Sequence, residues 1–283
     1  MSSPSIDRPV MRTAAPLALR HLLLLQERSV MWISRSALAS EHDVSRAAYR
    51  DDDEHGLPAV AGEEFEPLSM AAHAFEHALR GRIRRLDSLT VLLGYPYVRH
   101  IVLPWQGGLS NTADWQEYAR AMFDDQFGGD QASAHWQIVI DPTGFEQPRL
   151  AAAIDAALLD GLRTLAQLHK LRLISCLSLL AAAVKRHKRM LEDDCVLGLP
   201  QPGVLECLFR QRGQWQAVCG MRTLPEDTLL DGMAVAAAVS NAVLSPPLLL
   251  ASGTTADLPR AREAGMAFIH LGAAHPWLQE ASS

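Results

Sequence analysis

Two histidines and a glutamate in the segment HAFEH have the types and spacing best suited to metal chemistry. His73, Glu76 and His77 follow the order H-x-x-E-H, which holds zinc in some peptidases. On a helix, His73 and His77 would share one face and reach the same ion, with Glu76 as general base. However, Arg80 and Arg84 extend the same polar stripe, and the sequence offers no identifiable third ligand. The periodicity favours an exposed helix face and makes a zinc hydrolase the least favoured function.

Hydroxyl and thiol groups give weaker indications of catalysis. Ser175, Ser178 and Ser240 lie in apolar segments without the glycine-flanked turn that exposes a reactive serine. The four cysteines form no C-x-x-C pair and have no histidine at metal-ligand spacing. We interpret them as reduced core thiols: Cys176, Cys195, Cys207 and Cys219. The sequence therefore predicts no catalytic, cofactor-binding or metal-binding residue and no enzyme activity.

Composition limits the classes of partner. The chain has 283 residues, 48% of them hydrophobic and 20% charged, which is typical of a globular protein with a sizeable core. Its net charge of -6 argues against nucleic acid, because phosphate binding needs a basic surface. The most apolar stretches, residues 150–168 and 229–252, are interrupted by charged, polar or proline residues, so no membrane span is predicted. We expect a cytoplasmic protein whose segment 1–28 contains a short helix.

Further along the chain, strand and helix patterns alternate. Two strand candidates over residues 29–50 precede an acidic segment that is predicted to be a solvated loop. A helix is predicted over residues 65–84, and strands and helices then alternate as in a sheet that is covered on both faces. A helix is expected after Asn111 or Thr112, with Gly128 as its stop.

The last third has the clearest pattern. Residues 195–222 predict three consecutive strands, with Trp215, Ala217, Cys219 and Met221 on one face of the third. A helix, a strand, a short helix at residues 257–265 and a last strand follow. This order is typical of a ribonuclease-H-like lobe.

The amino-terminal half fits a looser version of the same lobe. The predicted fold class is therefore α/β, with two ribonuclease-H-like lobes forming an actin-like fold. The predicted divisions are the segment 1–28, a first lobe at 29–190 with inserted helices and strands, and a second lobe at 191–283.

Several segments carry a resemblance to a known group. VRHIVLPW, DWQEYARAMFDDQFGG, LAAAIDAALLDGLRTL, LRLISCLSLLAAAVKRHKRML and GQWQAV occur in that order within residues 29–271, marked by Trp105, Trp115 and Trp215. In content and order this is similar to the cytoplasmic actin-like domains of the type II secretion L component and the type IV pilus assembly M protein. The resemblance implies a role at the inner membrane, in contact with the assembly ATPase and platform proteins. No membrane helix follows the domain here, so we expect partners to supply any membrane location.

Members of this group differ in whether they bind nucleotide. In those that do, the first hairpin of each lobe carries an acidic residue and glycine-rich turns whose N–H groups approach the phosphates. The second-lobe hairpin here turns at GLPQPG, where Pro200 and Pro202 have no N–H to donate. The first-lobe hairpin is predicted in WISRSALASEHD, which has no glycine and whose serines are interpreted as local caps: Ser34, Ser36 and Ser40. Asp193 and Asp194 precede the second hairpin, on the wrong side to hold a metal.

The sequence thus favours a non-catalytic scaffold of a bacterial secretion or pilus assembly platform. Its expected partners are the assembly ATPase and inner-membrane platform proteins, and a homodimer stays open. The alternative is an ATP-binding actin-like protein of the same machinery. Basic clusters at residues 80–85 and 185–189 are interpreted as helix ends that cover carbonyl groups. No partner-binding surface is assigned.

Overall fold

The computed structural model describes residues 17–27, 29–37, 43–50, 66–127, 135–224, 227–244, 246–252 and 268–279. Four features predicted from the sequence fall outside these ranges: the cap at Ser40, most of the acidic loop, the stop at Gly128 and the short helix at 257–265.

The described residues form thirteen strands and six α-helices. The strands are β1 (Leu19–Gln26), β2 (Ser29–Ser36), β3 (Asp43–Arg50), β4 (Ser88–Leu93), β5 (Val98–Leu103), β6 (Trp136–Ile140), β7 (Arg149–Asp155), β8 (Arg172–Ser178), β9 (Cys195–Gln201), β10 (Val204–Gln211), β11 (Gln214–Arg222), β12 (Leu248–Ser252) and β13 (Phe268–Ala273). The helices are α1 (Pro67–His77), α2 (Thr112–Phe127), α3 (Ala156–Leu168), α4 (Leu179–His187), α5 (Leu229–Val239) and α6 (Pro276–Gln279).

Two five-stranded sheets share one topology. Their strand orders are β3-β2-β1-β4-β8 and β11-β10-β9-β12-β13. In each sheet the three strands that come first along the chain pair antiparallel as consecutive hairpins. The first of these strands then pairs parallel with the fourth strand along the chain, and the fourth pairs parallel with the fifth. This repetition is the pair of ribonuclease-H-like lobes predicted from the sequence. The lobe bounds, 29–190 and 191–283, stay a prediction, except that β1 adds residues before 29 to the first sheet.

The short helix predicted in the amino-terminal segment is wrong over Leu19–Gln26, which forms the central strand β1. β1 pairs antiparallel with β2 and parallel with β4. Seven of its eight residues are buried, and its four consecutive leucines pack alternately into apolar clusters on the two faces of the sheet. A strand covered on both faces has a continuous apolar run, and such a run does not show the alternation that separates a strand from a helix.

Four apolar clusters fill the space around the sheets. One face of the first sheet packs against α1 and α3, and one face of the second sheet packs against α5. A third cluster contains buried residues of both large sheets together with α4, including Leu24, Leu180 and Leu197. The two lobes are thus joined by a common core.

A small subdomain is inserted between β4 and α3. It consists of the antiparallel sheet β5-β7-β6 with α2 packed on one face through Trp115, Ala119 and Phe123. Asn111 begins α2 as predicted, since its Oδ1 accepts the N–H of Asp114 at 3.0 Å. The insertion places β5 at the outer edge of its sheet, beside the edge strand β11 of the second lobe.

Two details of the predicted elements need correction. α1 ends at His77, earlier than predicted, so Leu79 lies beyond the helix and is 47% exposed. In β11, a register shift opposite Phe209 and Arg210 interrupts the alternation of side chains. As a result Trp215 packs against the common core, whereas Ala217, Cys219 and Met221 pack with α5.

Candidate functional site

The turns of two corresponding hairpins, one from each lobe, meet between the lobes. The first-lobe hairpin is β1–β2, which turns between Gln26 and Ser29, and the predicted location of this hairpin after Trp32 is therefore wrong. The second-lobe hairpin is β9–β10, which turns at Pro202 and Gly203, as predicted. Gly203 has a φ of +69°, which a residue with a side chain adopts only with strain.

Gln201 connects the two hairpin turns. It ends β9, is buried, and its Oε1 accepts the backbone N–H of Tyr95 at 3.0 Å. The same oxygen lies 3.4 Å from Nε2 of Gln26, the last residue of β1. Gln26 in turn accepts the hydroxyl of Ser29 at 3.0 Å. Amide side chains of the protein therefore fill the space between the hairpins.

Glu206 continues this network toward the inserted subdomain. One carboxylate oxygen accepts a hydrogen bond from Nε2 of Gln201, and the other lies 3.2 Å from Nδ1 of His100 on β5. Nε2 of His100 lies 3.0 Å from the hydroxyl of Ser178, which also accepts the N–H of Ala181 at the start of α4. The side chains of Glu206 and His100 are each only 4% exposed.

These four buried side chains thus form a chain of hydrogen bonds that links both lobes and the insertion: Gln201, Glu206, His100 and Ser178. A connected network of this kind is stabilising only as long as each member keeps its partners. One further contact between lobes lies at the surface, where Arg222 of β11 pairs with Glu27 in the β1–β2 turn.

The fold implies a nucleotide at this position, and the residues present do not fit one. Phosphates need converging N–H donors and positive charge. Pro202 has no N–H, and the N–H groups of Gly94 and Tyr95 already donate to Leu25 O and Gln201 Oε1. The carboxylate of Glu206 has two protein partners of its own, which a metal ion or a phosphate would have to displace. Gln26, Gln201 and Glu206 thus fill the space between the two hairpin turns with side chains that are already hydrogen-bonded.

A narrow cleft lies over this network, between the edge strands β5 and β11. It has a volume of about 320 Å³ and is lined by residues of both strands, with His100 and Glu206 among them. This volume lies at the lower end of the range for small-molecule sites. Burial raises the pKa of the neighbouring Cys207 thiol, which therefore stays protonated at neutral pH.

A second, wider groove lies at the far end of the inserted sheet, with a volume of about 640 Å³. Trp105, Trp115 and Phe145 line it, and Phe145 is 77% exposed. The guanidinium carbon of Arg149 lies 4.2 Å from the ring centre of Trp115 and 5.9 Å from that of Trp105. Arg149 Nε is buried and has no hydrogen-bond partner among the described residues. We call these four residues the aromatic groove.

Of the residues considered for catalysis, one histidine and glutamate group lies together, and the serines and cysteines lie apart from it. His73, Glu76 and His77 lie together at the end of α1. Ser178 caps α4, and Ser175 lies on β8 with its hydroxyl 3.5 Å from that of Thr90, while Ser240 is the C-cap of α5. All four cysteines are free, as predicted, with Cys195 and Cys207 buried. Burial raises the pKa of Cys176 to about 11, which disfavours a thiolate nucleophile.

Other charged residues noted in the sequence also have structural partners. Asp194 accepts the N–H of Arg212 at 2.8 Å and so holds the β10–β11 turn. Arg80 donates to the carbonyl oxygen of Phe75 at 2.6 Å, and Lys185 and Arg186 lie in the last turn of α4. These basic residues lie at helix ends as predicted, where cations complement the helix dipole.

The interlobe network was missed at the sequence level, although its members leave a trace. His100 and Glu206 each interrupt an apolar strand run, in VRHIVL and VLECLF. A polar residue within a buried strand indicates a partner in the fold, since an unpaired one would cost free energy. What the sequence does not indicate is which polar residue is the partner, because Glu206 and His100 are 106 positions apart.

Comparison with known proteins identifies the fold. No protein-family model matches the chain, and no curated protein is detectably similar to it in sequence. The cytoplasmic domain of EpsL, an inner-membrane component of the type II secretion system of Vibrio cholerae, superposes with a TM-score of 0.56 at 14% identity, covering 93% of both chains. PilM from the PilM-PilN type IV pilus biogenesis complex gives a TM-score of 0.54 at 12% identity, covering 90% of this chain and 88% of that chain.

A third solved structure describes the architecture directly. A Bacteroides thetaiotaomicron protein of unknown function with an actin-like ATPase fold gives a TM-score of 0.53 at 9% identity, covering 84% of this chain and 82% of that chain. Within the described residues, no helix is both long and apolar enough to cross a membrane. The repeated strand order and these likenesses together establish that the chain has the actin-like fold, as the sequence predicted.

Proposed function

We propose that this protein is a non-catalytic, cytoplasmic scaffold of a bacterial secretion or type IV pilus assembly platform. The observation that supports the proposal is the hydrogen-bond network that fills the space between the two hairpin turns, where nucleotide-binding members of this fold would hold a phosphate. The likeness of the whole chain to the EpsL and PilM structures supports the assignment to this machinery. The protein's partners in the proposal are the assembly ATPase and inner-membrane platform proteins.

The rival function is an ATP-binding actin-like protein of the same machinery. Binding ATP between the lobes would require the contact between Gln201 and Gln26 to open and Glu206 to give up its partners. Breaking a buried network without equivalent replacements is costly. The scaffold function needs no such rearrangement.

We expect calorimetric titration with ATP and Mg²⁺ to give no saturable heat. The physical reason is that the amide and carboxylate groups between the hairpin turns already have protein partners, which a nucleotide would have to displace. The same titration with ADP and Mg²⁺ serves as a second probe. A saturable heat at micromolar ATP with one site per chain would contradict the scaffold proposal and favour the rival.

The aromatic groove is the surface on which we propose that a platform protein docks. Trp and Arg are the residue types that carry most binding energy at protein interfaces, and Phe145 is a large apolar side chain exposed to solvent. Of the described residues that line the groove, Arg149 alone is charged. The positive charge of Arg149 favours an acidic side chain on the partner, flanked by an apolar one that packs against Phe145.

We expect Phe145→Ala to weaken capture of the platform partner tenfold or more, because central aromatic anchors of interfaces contribute on that scale. The measurement is affinity capture from cells that carry the pilus or secretion system, with quantitative mass spectrometry of the captured proteins. Val139→Ala is the matched control, since Val139 is 57% exposed but lies outside the groove. Equal capture by both variants would show that the groove is not the docking surface.

A further inference from the structure

We infer that the last turn of α1 is a binding site for a divalent transition-metal ion of the zinc class, formed by His73, Glu76 and His77. The site lies outside the interlobe network and the aromatic groove. It is independent of the proposed function and assigns no catalytic activity to the helix.

The geometry of the three side chains carries the inference. One ligand atom from each residue lies within 4.8 Å of the other two. A tetrahedral zinc ion with bonds of about 2.1 Å separates neighbouring ligand atoms by roughly 3.4 Å, so small side-chain rotations bring these atoms to bonding distance. The helix supplies this arrangement because residues three and four positions apart lie on consecutive turns of the same face. The imidazole centres of His73 and His77 are 4.3 Å apart.

A hydrogen bond orients the second imidazole for metal binding. Nδ1 of His77 lies 3.0 Å from the carbonyl oxygen of His73. A carbonyl oxygen only accepts, so Nδ1 carries the proton and donates it, and the lone pair of the ring is on Nε2. Histidines that bind metals in proteins characteristically donate their other ring N–H to a carbonyl or carboxylate group. The fold thus sets the tautomer that a metal requires.

Charge and accessibility determine the class of ion. Two neutral imidazoles and one carboxylate give a donor set with one negative charge, and nitrogen donors select zinc, nickel or copper over magnesium and calcium. Glu76 and His77 are exposed and His73 is half-buried, so an ion reaches the site from solvent and keeps water at its remaining position. Arg80, which follows the helix, donates to the carbonyl oxygen of Phe75 and lies 3.5 Å from Nδ1 of His169.

The same arrangement does not amount to a hydrolase. Neither of the two clefts described above includes any of the three residues. Glu76 is part of the ligand cluster, which leaves it unavailable as a general base. The ion would instead hold the carboxyl-terminal end of α1 together, next to the basic segment that follows the helix.

The test is calorimetric titration of the full chain, freed of any histidine tag, with zinc chloride. We expect one zinc ion per chain, and His77→Ala to weaken binding tenfold or more, since loss of one imidazole leaves only two ligands. His135→Ala is the matched control, because it removes an exposed imidazole from elsewhere on the chain. Circular dichroism checks that both variants keep their helical content.

A second readout separates a true site from loose association. Cobalt bound by histidine and carboxylate ligands gives a visible absorption band that zinc then displaces, and we expect this band in the unmodified chain and in His135→Ala. Its absence in His77→Ala would complete the assignment. No saturable zinc binding to the unmodified chain, or equal binding by His77→Ala, would overturn the inference.

Discussion

Replacing Glu206 by alanine is expected to destabilise the protein by about 3–5 kcal/mol, the range for removing one partner of a buried ion pair or charged hydrogen-bond group. The carboxylate is buried and has His100 on one oxygen and Gln201 on the other. Truncation leaves both of these side chains in the interior without their acceptor, and an unsatisfied buried donor costs free energy on its own. The effect on stability extends beyond the two direct partners of Glu206, because His100 also contacts the hydroxyl of Ser178, which caps α4.

The measurement is the free energy of unfolding in urea, followed by circular dichroism and tryptophan fluorescence. Glu27→Ala is the matched control, since it removes another acidic residue that pairs across the lobes. Its partner Arg222 is 64% exposed, and exposed ion pairs contribute about 0–1 kcal/mol. Equal destabilisation by the two variants would mean that the interior network adds nothing beyond an ordinary surface pair.

Gly94→Ala is expected to separate the two hairpin turns and to destabilise the protein by about 2–4 kcal/mol, from overpacking and lost hydrogen bonds together. A Cβ at this position would overlap Oε1 of Gln201 and would lie 3.1 Å from Cγ of Gln26. These atoms belong to side chains, but the same Gln201 oxygen accepts from Tyr95 N and contacts Gln26. Displacing it therefore breaks the contact between the lobes as well as the packing.

Unfolding in urea measures the loss, and hydrogen exchange of the amide of Tyr95 reports where it occurs. Faster exchange at Tyr95 is expected, because its N–H would lose its acceptor. Gly108→Ala is the control, as its added Cβ would have no neighbouring atom within 4 Å. A Gly94→Ala protein as stable as the Gly108→Ala protein would show that Gln201 can move without cost.

The order of strands and helices could be predicted from the sequence because most of these elements have a clear hydrophobic pattern and are bounded by turn residues. The three strands of 195–222 are separated by tight turns that contain Gly203 and Gly213, both with positive φ. The alternation of strands and helices then predicts a covered α/β sheet. Local signals of this kind were enough for the fold class and for the resemblance to secretion and pilus assembly domains.

The errors occurred where the local signal is ambiguous or where the determinant is distant in sequence. β1 is apolar on both faces, so its run of leucines fits a helix equally well. Without β1, the first-lobe hairpin was assigned one strand too late, and Gln26 could not be recognised as the contact of Gln201. The side of β11 to which Trp215 points depends on a β-bulge, and a single sequence does not show where a bulge occurs. The interlobe network depends on pairs more than one hundred positions apart, such as His100 and Glu206.

The common core around α4 has a mechanical consequence. Leu24 of the first sheet, Leu197 of the second and Leu180 of α4 belong to one buried apolar cluster, so a hinge between the halves would have to expose that cluster to water. Relative rotation of the halves is therefore resisted throughout a thick apolar layer. We therefore expect a force that acts on one lobe to be transmitted to the other lobe without a large change in their relative orientation.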